Sequence, residues 1–249
     1  MINATVEVRM TSSRLPGKPL MLVQGKTMLE ILVMRLSKST LINKIIIATT
    51  TNIEDDPIID LCKKNNFLYY RGSENNVLER VSNAAKYFNT DTLVQITGDC
   101  PLLDVTLVDD AIKLFLKCFP KSRFVSNTGP NISMPWGFDV QVYKASELAN
   151  VLEASDLSDD DREHVSNRFY LNKFEKLYNP IEISYPYPLN RSELRVTLDY
   201  QEDFDLIKSV IEDFGIKNLD SIKMYDIIKW LDNNPVIRDA SLKKHSNNN

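Results

Sequence analysis

Three cations lie within ten residues near the start of the chain, in the segment Arg9-Met-Thr-Ser-Ser-Arg14-Leu-Pro-Gly17-Lys18. The segment follows a short alternating apolar run at 4–8 and also carries Ser12 and Ser13, so it can offer positive charge and backbone N–H groups to a triphosphate. It matches neither the GxxxxGK[ST] loop nor the GxGxxG fingerprint. A solvated basic surface loop is the alternative, because short clusters of Lys and Arg are common on protein surfaces.

Two aspartates each follow an apolar run. Asp99 comes shortly after TLVQI at 92–96, and Asp199 comes directly after LRVTL at 194–198. If both runs are strands of one sheet, both carboxylates emerge at the carboxyl edge, where ligands of open α/β sheets bind. Such a pair could share one magnesium ion with phosphate oxygens and waters. The alternatives are a turn at Asp99 and a helix cap at Asp199 for a helix that starts near Gln201.

Alternating strand and helix patterns must position these residues. Predicted strands cover 4–8, 44–50, 67–70 and 92–96, and helical patterns follow each of them in turn. Thr27 and Glu30 form a capping box before the first helix. Asp56 precedes Pro57 as an N-cap for the second. The order βαβαβαβα is typical of a parallel sheet wrapped by helices.

The second half of the chain is less regular. Its predicted strands cover 124–127, 138–143 and 194–198, and its predicted helices cover 147–154, 159–171, 204–214 and 222–231. We therefore expect an α/β fold with a mostly parallel, Rossmann-like sheet in a single domain over residues 1–249. This domain is expected to carry an inserted β-rich lobe around 120–190 and a frayed tail near 243–249.

Composition excludes several classes of protein. The 249 residues are 43% hydrophobic and 26% charged with a net charge of −4, which is typical of a globular protein and argues against a dedicated nucleic-acid binder. No apolar run is long enough to span a bilayer, and the N-terminus lacks the pattern of a signal peptide. The three cysteines predict free thiols in a reducing cytoplasm. With two histidines, a divalent metal is expected on carboxylates, which favours magnesium or manganese.

The segment RMTSSRLPGKPL at 9–20 resembles the N-terminal signature of the cytidylyltransferases, the group that includes CMP-Kdo and CMP-sialic acid synthetases. The resemblance is closest to the members associated with spore-coat polysaccharide biosynthesis, and it covers roughly residues 4–214. The further matching segments are ATTTNIEDDPI at 48–58, RGSENNVLER at 71–80, TGDCPLLD at 97–104, FVSNT at 124–128, WGFDVQVY at 136–143, REHV at 162–165 and LRVTLDYQEDFDLI at 194–207.

The resemblance implies a nucleotide-diphospho-sugar transferase-like fold, CTP as substrate and Mg²⁺ as cofactor. In that family an acceptor oxygen attacks the α-phosphorus and pyrophosphate leaves. The implied roles are catalysis for Arg14 and Lys18, nucleotide binding for Arg9, Ser12, Ser13, Arg71, Ser73 and Asn76, acceptor binding for Asp139, Arg162, Glu163 and His164, and metal binding for Asp99 and Asp199. Within the nucleotide-binding group, the segment that contains Arg71 falls where the family reads the pyrimidine.

The chain departs from the family pattern at a few positions. Glu7-Val8 stands where Gln-Ala or Pro-Ala is usual, and Thr11 stands where Gly or Ala is common. The Kdo-type QGDEP motif is replaced by TGDCP at 97–101, which argues against Kdo as the acceptor. We expect CTP and a small-molecule acceptor as partners, and no nucleic acid or membrane; a homodimer is one option for the oligomeric state. A non-catalytic nucleotide-binding regulator and a nucleotide-sugar-dependent glycosyltransferase are the alternative functions.

Overall fold

The computed structural model describes residues 1–246 of the chain. The strands are β1 (Ile2–Glu7), β2 (Leu22–Val23), β3 (Lys26–Thr27), β4 (Lys44–Thr50), β5 (Leu68–Gly72), β6 (Thr92–Thr97), β7 (Phe124–Ser126), β8 (Gln141–Lys144) and β9 (Ile181–Glu182). The helices are α1 (Met28–Leu36), α2 (Asp56–Asn65), α3 (Val77–Tyr87), α4 (Val105–Cys118), α5 (Ala145–Leu152), α6 (Asp159–Glu163), α7 (Asn167–Tyr170), α8 (Glu175–Tyr178), α9 (Gln201–Phe214), α10 (Met224–Asn233) and α11 (Pro235–Ser246). Short 3₁₀ turns lie at Lys18–Leu20, Ile53–Asp55 and Asn172–Phe174.

Within the described residues, seven strands form the main sheet in the order β5-β4-β1-β6-β8-β7-β9. The neighbours β5, β4, β1 and β6 are all parallel, whereas β8 is antiparallel to both β6 and β7. The expected α/β class with a mostly parallel sheet is confirmed. Because the four parallel strands share a direction, their carboxyl ends meet at one edge of the sheet.

Apolar side chains of the central strands point alternately to the two faces of the sheet, and a hydrophobic core lies on each face. Ala4 and Val6 of β1 face a core that includes α1, α4, α9 and α10. Leu93 of β6 and Tyr143 of β8 face a second core under α3, α5 and α7. Since successive side chains of a strand point to opposite faces, each central strand contributes to both layers.

The strands and helices predicted for residues 1–118 are all present, with small changes in their ends. The capping box of Thr27 and Glu30 is confirmed at the start of α1. The prediction that Asp56 caps α2 is wrong, because Asp56 is the first helical residue and Asp55 occupies the N-cap position. Asp55 makes no capping bond there, since its carboxylate accepts hydrogen bonds from the backbone of Met10 and Thr50.

The strand predicted at 194–198 is wrong. The segment is extended and its apolar side chains are buried, but its ladder is limited to an isolated bridge between Arg195 and Trp136. Its backbone changes partner within three residues: Val196 donates to the carbonyl of Trp136, and Leu198 donates to that of Asp99, both at 2.8 Å. The segment therefore reaches the sheet edge without joining a strand.

The region around 120–190, expected to be a β-rich lobe, contributes short strands to the main sheet and carries the helices α5 to α8. The single helix predicted over 159–171 is divided into α6 and α7 at His164, which has ψ of 87°. The tail was expected to fray from about residue 243, whereas α11 runs to Ser246; residues 247–249 lie outside the described part of the chain. No helix within residues 1–246 is long and apolar enough to cross a membrane.

Candidate active site

The loop after β1 is fixed at both ends. Gly17 donates its N–H to the carbonyl of Met10 at 2.9 Å, which closes the loop, and Met10 donates to the buried carboxylate of Asp55 at 2.7 Å. Gly17 has φ of 75°, a left-handed conformation that favours glycine, and the chain then enters the 3₁₀ turn that begins at Lys18. The loop therefore presents its cations from a backbone held in one conformation.

Asp199 is the centre of a buried ion cluster. It is 2% exposed, and its carboxylate accepts hydrogen bonds from Arg14 at 2.7 Å, Lys18 at 3.1 Å and Arg195 at 2.8 Å. Burial disfavours the charged carboxylate, but the positive charges of Lys18, Arg14 and Arg195 outweigh it and hold the pKa of Asp199 below its ordinary value. The structure thus brings the two predicted catalytic residues onto one of the predicted metal ligands.

The Asp199 side chain does not cap α9, so that alternative is wrong. The residue at the N-cap of α9 is Tyr200, and the carboxylate of Asp203 accepts the N–H groups of Asp199 and Tyr200 at 3.0 and 2.9 Å. The Asp199 carboxylate is left to face the cations of the cluster.

Asp99 lies on the other side of Lys18. The ammonium nitrogen of Lys18 is 3.8 Å from Oδ2 of Asp99, so one cation lies close to both predicted metal ligands. Asp139 is close to them, and its burial, followed by the charge of Asp99, raises its pKa to about 7. Within residues 1–246, no group of three or more His, Cys, Asp or Glu side chains is arranged to hold a metal ion. The metal-binding role of Asp99 and Asp199 stays a prediction.

An open cleft of about 510 Å³ lies at the carboxyl edge of the parallel strands. The predicted site residues in its wall are Arg9, Ser12, Ser13, Arg14, Lys18, Asp99, Glu163 and His164. Arg9 and Glu163 form a bridge at 3.5 Å across this cleft. The other predicted residues, which are Arg71, Ser73, Asn76, Asp139, Arg162 and Asp199, are absent from its wall as the described residues define it.

In the segment predicted to read the pyrimidine, the side chains make hydrogen bonds that stabilise the local backbone. The guanidinium of Arg71 donates to the carbonyls of Thr50 and Asn52 at 2.7 and 2.6 Å and pairs with Asp56 at 2.7 Å. Asn76 caps α3 through a hydrogen bond from the N–H of Glu79 at 3.0 Å.

Ser73 Oγ accepts the N–H of Asn76 at 3.1 Å, which completes this turn. The residues of the same region that do line the cleft are Val77 and Arg80. The contacts of Arg71, Ser73 and Asn76 are thus explained by local structure, and their role toward a base stays a prediction.

The cleft has a polar floor, formed by Glu7, Gln95 and Gln141, which is absent from the site predicted from the sequence. These residues lie on neighbouring strands on the α3 face of the sheet, where Gln95 is in register with Gln141 and Glu7 with Thr97. Gln95 donates to Glu7 at 3.3 Å. Burial raises the pKa of Glu7 to about 8. A polar residue inside each of the runs ATVEV, TLVQI and FDVQV is the signal that could have found this floor, because strands buried on both faces are normally apolar.

A mostly parallel sheet with a cationic loop and carboxylates at its carboxyl edge is typical of α/β proteins that bind nucleotides. The chain belongs to the cytidylyltransferase family, because the model of that family, described as "Cytidylyltransferase", matches residues 4–227. Members of this family are CTP-dependent enzymes.

Individual relatives agree with this assignment. The chain is 34% identical over 238 residues to the uncharacterized protein MJ1063 of Methanocaldococcus jannaschii, covering 95% of this chain and 92% of the relative. It is 28% identical to the spore coat polysaccharide biosynthesis protein SpsF of Bacillus subtilis, with 97% of each chain covered. A solved cytidylyltransferase from Leptospira borgpetersenii superimposes with a TM-score of 0.86 at 30% identity, covering 95% of this chain and 96% of that one. The predicted resemblance is confirmed.

Proposed function

We propose that this protein transfers CMP from CTP to a sugar, sugar acid or phosphorylated small acceptor in surface-glycan biosynthesis. In this reaction an acceptor oxygen forms a bond to the α-phosphorus, and the bond from that phosphorus to the bridging oxygen breaks. Pyrophosphate leaves with the bonding electron pair, and an acceptor hydroxyl releases its proton to water. The observation that carries the proposal is the convergence of Arg14 and Lys18 on one wall of the cleft, beside the closed loop that also presents Arg9.

The loop residues suit the triphosphate. Arg9, Arg14 and Lys18 supply positive charge, and Ser12 and Ser13 lie in the same wall. Nucleotidyl transfer asks the protein mainly for positioning and charge neutralisation, so fixed cations are the groups it needs most. In our proposal Arg14 and Lys18 stabilise the charge that develops as pyrophosphate departs.

The two carboxylates beside Lys18 offer oxygen donors of the kind that a hard cation takes, although the oxygens of Asp199 accept hydrogen bonds from Arg14, Lys18 and Arg195 in this structure. The Asp99 side chain is 26% exposed and lies in the cleft wall, while Asp199 is buried behind Arg14 and Lys18. Magnesium takes one or two carboxylates and completes its shell with phosphate oxygens and waters. When bound, it would neutralise part of the triphosphate charge. We propose Asp99 as the ligand that is already accessible and Asp199 as the second.

The acceptor is proposed to lie toward the C-terminal end of α6. Glu163 and His164 line the cleft there, whereas Arg162 and Asp139 stand outside its wall. The product is CMP-linked if the acceptor supplies a hydroxyl and CDP-linked if it supplies a phosphate. The link to surface glycans is supported by the name of the relative SpsF.

The test is pyrophosphate release with each of the four nucleoside triphosphates against a panel of sugar acids and phosphorylated acceptors. Release with CTP alone supports the proposal, and absence of release with every pair would favour the non-catalytic regulator. Lys18→Met should lower kcat/KM on the order of 100-fold, as the loss of one transition-state contact does. Lys26→Met is the matched control, because Lys26 pairs with Glu30 on the surface and is absent from the cleft wall.

Two further properties accompany the proposed function. Cys62, Cys100 and Cys118 are free, which suits a reducing cytoplasm. We also propose a homodimer, which analytical ultracentrifugation of the full chain would test against a monomer.

A further inference from the structure

The C-terminal helix α11 contacts the segment that holds the ion cluster. The contact is made at Asp203, in the first turn of α9, which is 1% exposed. As described above, its carboxylate accepts the N–H groups of Asp199 and Tyr200. Asp203 therefore fixes the backbone from which the Asp199 side chain projects.

Two residues of α11 hold Asp203 from the other side. Ser241 donates its hydroxyl to Oδ1 of Asp203, and Nε2 of His245 lies 3.1 and 3.0 Å from the two carboxylate oxygens. Ser241 and His245 are four residues apart, so they lie on one face of the helix. A buried carboxylate needs such partners, because an unpaired one is costly to keep away from water.

A second path runs through the ring of Tyr200. His245 packs edge-on against this ring with centroids 5.0 Å apart, and the guanidinium of Arg14 lies over it at 5.6 Å. The imidazole of His245 thus touches both the carboxylate that orders the Asp199 backbone and the ring that supports Arg14.

We propose that α11 is part of the active-site scaffold and that His245 is a positioning residue, acting through Asp203 and Tyr200 on Asp199 and Arg14. The kinetic part of this inference rests on the proposed function. The structural part does not, since it concerns the order of the Asp199–Tyr200 segment itself. His245 is 14% exposed in its side chain and stands outside the cleft wall, so it acts on the site from behind.

The structural part is tested by amide hydrogen exchange of Asp199 and Tyr200 in the full chain. His245→Ala should speed exchange of both amides about tenfold, the factor that corresponds to a lost hydrogen bond to a charged group. His245→Gln should restore most of the protection, because its amide can donate to Asp203. Arg238→Gln is the matched control: it removes a contact of α11 to Asp232 and leaves Asp203 untouched. Unchanged exchange in His245→Ala would overturn the proposal.

The kinetic part is tested by pyrophosphate release from CTP. His245→Ala should lower kcat about tenfold with a KM for CTP within twofold of the wild type, and Arg238→Gln should leave both unchanged. Asp203→Asn can still accept the two backbone N–H groups but loses the charge that His245 contacts. The double variant Asp203→Asn/His245→Ala should therefore have a kcat only slightly below that of either single variant.

The kinetic part would be overturned if the fold-losses in kcat of the two single variants multiplied in the double variant, or if His245→Ala left kcat unchanged. A wild-type protein that releases no pyrophosphate from CTP refutes the proposed function instead, and amide exchange then still decides whether His245 orders the segment.

Discussion

Replacing Asp199 by Asn removes the one negative charge that Arg14, Lys18 and Arg195 share. The Asn side chain keeps the shape but leaves three cations around a neutral amide. Arg14 is 49% exposed in its side chain, so water compensates most of its loss. The side chain of Lys18 is 13% exposed and keeps Asp99 at 3.8 Å, whereas Arg195, 19% exposed, loses the carboxylate with which it pairs.

Removal of one partner from a buried ion pair costs about 3–5 kcal/mol. Because the cluster is open on the side of Arg14, we expect the lower end, about 3 kcal/mol in the free energy of unfolding at pH 7. For a chain of this size, that loss corresponds to a decrease of roughly 6–12 °C in Tm.

The pH dependence follows from the direction of the shift. The pKa of folded Asp199 is held below its ordinary value of 3.8, so its stabilisation is present above that value and is lost as the pH falls through the lower, folded pKa. The difference between the wild type and Asp199→Asn should therefore be constant near neutral pH and shrink below about pH 4.

Urea unfolding followed by circular dichroism measures both effects. Asp232→Asn is the matched control, since Asp232 also pairs with an arginine, Arg191, but is 43% exposed in its side chain. We expect less than about 1 kcal/mol from this exposed pair. If Asp199→Asn unfolds within about 0.5 kcal/mol of the wild type, the ion cluster is not a stabilising element and the reasoning is refuted.

Three further outcomes are expected. Glu7→Gln should gain stability relative to the wild type as the pH rises from about 5 to 8.5, because the raised pKa of folded Glu7 makes wild-type stability fall through this window; parallel melting curves across pH would contradict this. Arg71→Ala should lower the free energy of unfolding by about 2 kcal/mol through lost hydrogen bonds, and unchanged stability would contradict this; the ratio of kcat/KM for CTP to that for UTP in the same variant tests the predicted role of Arg71 toward the base. The ratio of kcat/KM for CTP to that for UTP should be on the order of 100 or more, since a pocket that hydrogen-bonds the cytosine amino group leaves buried groups unpaired with uracil; equal values would refute pyrimidine selection.

Local sequence was sufficient to predict the cationic loop. Arg14 and Lys18 are close in sequence, and a strand before them and Gly17 between them leave few ways to arrange the loop. The first four strands and their helices were predictable for the same reason, since each pattern is complete within about 15 residues.

The floor of the cleft and the C-terminal contact depend on distant pairings. Gln141 reaches the floor because β8 is inserted antiparallel beside β6, and no pattern within β8 specifies its neighbour. His245 meets Asp203 through the packing of α11 on α9. The apolar run at 194–198 predicts a strand that does not form, because burial produces the same alternation of apolar and polar residues whether or not the segment pairs with a neighbouring strand.

The cluster around Asp199 means that the protein carries its own counter-ion. Arg14 and Lys18 already share one fixed carboxylate, so a nucleotide partly exchanges one anion for another instead of meeting bare charge. A small dianion such as inorganic phosphate gains little from that exchange, whereas a triphosphate can take both cations at once. Since part of the displaced charge belongs to the protein and not to the buffer, nucleotide affinity should fall less steeply with salt than two cations in open water would require.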